Sequence, residues 1–178
     1  MSERPYATGA LAGAGAWLLG YLTTFLLTGS RVRDSGLRRA IELFGGELPT
    51  WKVVGWVFYN AHFVETRFEG IFGGTASFVG GEDGFTLLLY VVPPALLLAA
   101  GLAVGRRAGA ETLDTANAAV TGATVSLGYA PLAVVGLFLF GVEGAAPVVA
   151  TGILLAAVFY PVVFGAAGGG VAALTGRD

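Results

Sequence analysis

Four long runs without a charged residue dominate the chain: Ala7 to Gly29, Phe85 to Gly105, Asn117 to Phe140 and Val148 to Leu174. Each reaches or passes the ~20 apolar residues that a helix needs to cross a hydrocarbon core of ~30 Å. The pattern predicts membrane helices near 7–29, 85–105, 117–140 and 148–174. A cleaved signal peptide is the rival reading of the first run. Against it, Glu3 offsets Arg4, and the run exceeds the ~7–15 residues of a signal core. Its small residues recur at Gly9/Gly13 and Ala12/Ala16/Gly20, a spacing that lets a second helix approach closely. An Ala- and Gly-rich segment also yields such spacings by chance.

Two connecting segments carry patterns of their own. Leu37, Ala40, Ile41 and Phe44 fall at helical spacing while Arg38, Arg39 and Glu42 face elsewhere. This predicts a short amphipathic helix near 35–45 in the headgroup region, serving anionic-lipid binding, partner docking or only the ordinary positive charge of an inner loop. Val53 to Val64 is also uncharged, but its 12 residues cover only about 18 Å as a helix. Trp51, Trp56 and Tyr59 suit an interface belt, and Lys52 can snorkel. Length alone makes this segment interfacial or re-entrant. Ile71 to Gly84 is Gly-rich, with Glu82 and Asp83 near its end, and reads as an irregular loop.

Charge placement argues for a fifth crossing near 51–68. With five crossings and the N-terminus outside, eight basic residues (Arg31, Arg33, Arg38, Arg39, Lys52, Arg106, Arg107, Arg177) lie inside and only Arg4 and Arg67 lie outside. With four crossings the split is six to four. Because basic residues concentrate in cytoplasmic loops, the expectation is a single all-α transmembrane bundle over residues 1–178. It has about five crossings, an outer N-terminus and a cytoplasmic C-terminus in the cell membrane.

Composition agrees with lipid as the solvent. Hydrophobic residues make up 55% and charged residues 12%, about half the soluble average, and mean hydropathy is +0.75. A net charge of −2 without a basic tract excludes nucleic acid as a partner, and the absence of cysteine excludes disulfides and thiolate sites. Nine arginines to one lysine and a pI near 5.4 suggest a GC-rich, salt-adapted source.

Two constellations are candidates for chemistry. His62, the only histidine, is flanked by Asn60 and followed by Glu65, Thr66 and Glu69 at i+3, i+4 and i+7. On one helix face these groups suit a proton relay or a cation site, since ionisable side chains at membrane depth often line ion paths. A wet interface accommodates the same residues without any special role. The second constellation is Tyr90-Val-Val-Pro93-Pro94, Tyr129-Ala-Pro131 and Tyr160-Pro161, a tyrosine just before a proline in each of the last three helices. Proline frees the carbonyl four residues back and kinks the helix, and broken helices build ion sites from such carbonyls. Phosphate-loop, nucleophile-elbow, zincin and dinucleotide-binding motifs are missing. An enzyme is therefore disfavoured, and neither a metal nor another cofactor is expected.

The run Pro49-Thr-Trp-Lys-Val-Val-Gly-Trp-Val-Phe-Tyr-Asn-Ala-His-Phe-Val-Glu65, the Gly-Glu-Asp-Gly of 81–84, Tyr90-Val-Val-Pro-Pro94 and Tyr160-Pro-Val-Val-Phe-Gly165 resemble a family of small haloarchaeal multi-pass membrane proteins. The resemblance implies a membrane class and a halophilic source. It supplies no activity. Two functions remain open: a structural or accessory subunit of a membrane assembly, as a homo-oligomer or in a larger complex, or a small-solute or ion transporter with its site near His62 and Glu65.

Overall fold

The computed structural model describes residues 4–34, 48–70, 73–81 and 84–176. The amphipathic segment expected near 35–45 lies outside the described residues, as do Glu82 and Asp83.

The chain is mostly helical. Helix α1 (Arg4–Arg33) leads to a short α2 (Thr50–Asn60), then to strands β1 (Thr66–Phe68) and β2 (Gly74–Ala76). A 3-10 turn over Leu87–Val91 opens α3 (Val92–Arg107); α4 (Thr115–Ala123) and α5 (Ser126–Leu139) follow. Strand β3 (Ala145–Pro147) precedes α6 (Val149–Gly152), a π-helical stretch over Ile153–Phe159, and α7 (Tyr160–Thr175). Four continuous helical segments are long and apolar enough to cross a membrane: Tyr6–Arg33, Leu87–Arg107, Thr115–Leu139 and Val149–Thr175. They match the four long uncharged runs closely.

Their sidedness is inverted relative to a water-soluble bundle. In α1 the buried stripe is Gly9, Gly13, Ala16, Gly20, Thr24 and Thr28, whereas Leu11 and Leu26 are 76% and 75% exposed. Small residues face in and leucines face out, as expected where lipid offers leucine no reason to hide and close packing drives association. The small face read from the sequence is thus in use. Thr24 and Thr28 hydroxyls donate to the Gly20 and Thr24 carbonyls, so neither buried hydroxyl is left unpaired.

Glycine contacts fix the directions of the helices. A side chain at Gly13 would overlap Val125, and one at Gly136 would meet Trp17, so α1 runs parallel to α4–α5. Gly101 rests on Gly165, and Gly105 on Gly169 and Ala172, so α3 runs parallel to α7; α4 opposes α7 through Gly122 on Gly165 and Ala118 on Gly169. Residues 4 and 175 therefore share one end of the bundle. At the other end, the Arg31 guanidinium donates to the Gly84 carbonyl at 3.4 Å and lies 4.9 Å from the Phe85 ring centre.

The stretch between α1 and α3 thus leaves and returns at the same end of the bundle, and the chain's two ends meet at the other, where the sequence led us to expect residues 51–68 to run from end to end. The helix of that stretch has 11 residues, about 16 Å. Proline positions also differ from simple mid-helix kinks. Pro93 and Pro94 sit in the first turn of α3, where a missing N–H costs nothing. Pro131 lies inside α5, just after the break between α4 and α5 at Thr124–Val125, and Pro161 follows the π-helical stretch. The fold is also not purely α: β1 pairs antiparallel with both β2 and β3 in the order β2-β1-β3, with Arg67 opposite Thr75 and Ala146.

Candidate functional site

Helix α2 enters the bundle from the Arg33 end, and Val53 to Asn60 are all buried. A helix apolar on every side needs a protein core around it, and polar groups at each level tie this one down. The Tyr21 hydroxyl donates to the Trp51 carbonyl at 2.9 Å, Lys52 Nζ to the Gly141 carbonyl at 2.7 Å, and Trp56 Nε1 to the Phe140 carbonyl at 2.8 Å. Deeper, the Tyr59 hydroxyl donates to the Ala133 carbonyl. Trp56 and Tyr59 are therefore core residues and not part of an interface belt.

The helix ends in a Schellman turn. Val64 N–H donates to the Tyr59 carbonyl and Phe63 N–H to the Asn60 carbonyl, with Phe63 left-handed at φ 60°. Phenylalanine lacks the freedom of the usual glycine, and the conformation costs about 1–2 kcal/mol. Its ring stacks on Tyr90 with centroids 4.4 Å apart, which offsets part of that cost. Asn60 locks the turn from inside: Nδ2 donates to the Val64 carbonyl at 2.7 Å, and Oδ1 accepts from Phe78 N–H at 2.8 Å.

His62 sits at this turn with no exposed surface. Nδ1 lies 2.8 Å from the Phe58 carbonyl and Nε2 lies 2.7 Å from the Tyr129 hydroxyl. A carbonyl only accepts, so Nδ1 carries the proton, and Nε2 of the neutral ring accepts from Tyr129. Phe58 and Tyr160 close over the ring at 4.9 Å each. Burial pushes the histidine pKa down to about 4, against a smaller upward pull from the Phe58 hydrogen bond. The imidazole is a neutral connector with both nitrogens used.

The residues proposed to share one helix face do not share it. The helix stops at Asn60, and the chain continues into an extended strand. His62 and Asn60 face the core, whereas Glu65 and Glu69 lie exposed on β1 and its continuation, alternating with buried Val64 and Thr66. That exposed face borders a cavity of about 390 Å³ lined by Phe63, Glu65, Arg67, Ser77, Tyr90 and Thr151, among others. A smaller cavity of about 180 Å³ adjoins Arg67 and Glu69. Among the described residues, no three histidine or carboxylate side chains converge as a metal site.

Sequence reasoning missed Arg67 and the partners of His62. A signal for the partners was present: the three tyrosines that precede prolines, Tyr90, Tyr129 and Tyr160, all meet this hairpin. Tyr129 and Tyr160 hold His62, and Tyr90 lines the larger cavity.

Comparison with known protein families matches residues 1–176 to DUF7978, a family of unknown function. The chain belongs to this family. No curated protein and no solved structure matches it. The DUF7978 match spans the buried hairpin, the sheet and all four long helices, so it covers the architecture as a whole.

Proposed function

We propose that this DUF7978 member is an integral protein of the cell membrane that crosses it four times. Its α2 hairpin is a re-entrant plug, and it acts as a structural or accessory subunit of a membrane assembly, as a homo-oligomer or with other proteins. The observation that carries this reading is the closure around His62. The imidazole of His62 is enclosed by Phe58, Tyr129 and Tyr160, has both nitrogens engaged, and lines neither cavity. A conducting path needs polar groups that exchange partners with water or an ion. Transport through His62 and Glu65 loses its basis because the two lie on opposite faces of the hairpin.

Counted along the sequence, four crossings put six basic residues (Arg31, Arg33, Arg38, Arg39, Lys52 and Arg67) on the side of the first and third inter-helix segments, and four (Arg4, Arg106, Arg107 and Arg177) on the other. We therefore assign the Arg33 end to the cytoplasm and both termini to the outer side. The arginine bias and acidic pI support a halophilic source.

The chain has no cysteine, so single-cysteine labelling reads sidedness cleanly. Glu69→Cys should react from the cytoplasmic side, and Thr175→Cys from the outer side. Reaction of both from one side would remove the topology. Mild-detergent extraction and cross-linking should retain a partner or a second copy, and liposomes carrying the protein should show no ion flux above empty ones. A monomeric particle that conducts ions would overturn the accessory reading.

A further inference from the structure

We propose that the larger cavity is a binding site for a small zwitterion, with the anionic end on Arg67 and the cationic end between Glu65 and the Phe63–Tyr90 ring pair. The chain that runs from the left-handed Phe63 into β1 sets the arrangement. Phe63, Glu65 and Arg67 are all exposed and line one cavity. Two residues of extended chain separate the Glu65 and Arg67 Cα atoms by about 6.6 Å, so opposite charges stand at two points of the same wall. Neither side chain has an ion-pair partner among the described residues.

Each charge has a different neighbour. Arg67 stands opposite Thr75 across the strand pair, and the Thr75 side chain also lines the cavity. Guanidinium and hydroxyl together suit a phosphate or carboxylate. Glu65 is two residues from Phe63, an exposed residue whose ring stacks on Tyr90. A carboxylate beside an aromatic face suits an ammonium. A ligand with one charge leaves the other wall charge uncompensated, so the cavity discriminates in favour of a molecule bearing both. At about 390 Å³ it falls within the ~300–1,000 Å³ range of small-molecule sites. The left-handed Phe63 is consistent with strain retained where a ligand is held.

Tyr90 and Thr151 belong to two of the segments long enough to span a membrane, and each lies near its segment's start. On the membrane placement proposed above, the cavity opens where headgroups lie, so the zwitterion comes either from a lipid or from water. Phosphocholine, tetramethylammonium and inorganic phosphate, titrated into the purified full chain in detergent, separate the whole ligand from its halves. Phosphocholine should bind at least tenfold more tightly than either half, and Glu65→Gln and Arg67→Gln should each remove that advantage while thermal unfolding stays unchanged. Equal affinity for phosphate and phosphocholine, or no binding of any probe, would overturn the proposal on the wild-type chain alone, whatever the variants do. In nanodiscs, phosphatidylcholine that blocks the soluble probe, where phosphatidylglycerol does not, identifies a lipid headgroup as the source; absence of such competition identifies a soluble ligand. These readouts do not depend on a partner subunit, so the accessory reading and this site fail separately.

Discussion

At the Thr175 end of the bundle, Gly101 and Gly122 both press on Gly165, and Gly169 meets Ala118, so α3, α4 and α7 touch backbone to backbone. At the Arg33 end the α2 hairpin is inserted in the bundle and hydrogen-bonded to α5 and the turn after it. There the Phe140 ring packs against Trp17, Tyr21, Trp51 and Tyr59 at centroid distances of 5.3 to 6.3 Å. One end packs by omitting side chains, the other by filling a wedge with rings. Omission leaves no room for error, because a methyl group there meets main chain that cannot rotate away. Rings tolerate some loss, because a cavity costs only the contacts it removes.

The sharpest way to break the contrast is at the glycine end. Gly169→Val would drive a branched side chain into the Ala118 carbonyl and the Gly122 backbone. Neither can rotate away, so the cost exceeds both the ~1–3 kcal/mol of ordinary overpacking and the ~3–5 kcal/mol of deleting a buried ring. The expected outcome is loss of a monodisperse particle on size exclusion, and a normal profile would refute backbone contact there. Next comes Phe140→Ala at the aromatic end, expected to cost about 3–5 kcal/mol while still folding. Its thermal unfolding should shift downward with the hairpin destabilised first, visible as faster hydrogen exchange over 53–60.

The third test uses pH. His62 is held neutral, with its pKa lowered from 6.5 to about 4, so the unfolded chain binds the proton more readily. The stabilisation is complete above pH 6.5 and is lost as pH falls towards 4, by up to about 3 kcal/mol at 1.36 kcal/mol per unit. His62→Phe should flatten that profile over pH 4 to 6.5, and an unchanged slope would assign the acid sensitivity elsewhere. Smallest is Phe63→Gly, which relieves the left-handed backbone but forfeits the stack on Tyr90. The two effects nearly cancel, and the net change should stay within about 1 kcal/mol.

Much of the bundle was legible in the sequence, because the four uncharged runs exceed the length at which hydropathy alone decides. The small face of α1 was legible for the same local reason. The fate of the Trp51–Glu69 segment was not. Trp51, Trp56 and Lys52 carry the signature of a membrane interface, yet Trp56 and Lys52 donate to carbonyls at the end of α5, more than 80 residues away in sequence. No periodicity reports such a contact. The charge tally rested on a handful of basic residues, so moving one loop changes it from eight against two to six against four. The strands were illegible too: three residues each, with Gly and Ala among them, carry almost no alternating pattern. For the candidate site, His62 lies buried at the end of α2, whereas its neighbours Glu65 and Glu69 were assigned to a helix that ends before it reaches them.

The hairpin's contacts also impose an order on biosynthesis. It is translated between the first and second long helices, but the carbonyls and rings that anchor it, at Ala133, Phe140, Tyr129 and Tyr160, emerge from the ribosome only with the third and fourth. Until then Trp56 lacks the Phe140 carbonyl that its indole donates to and His62 lacks Tyr129, so a nascent chain halted before residue 129 should leave this segment accessible to proteases and chaperones.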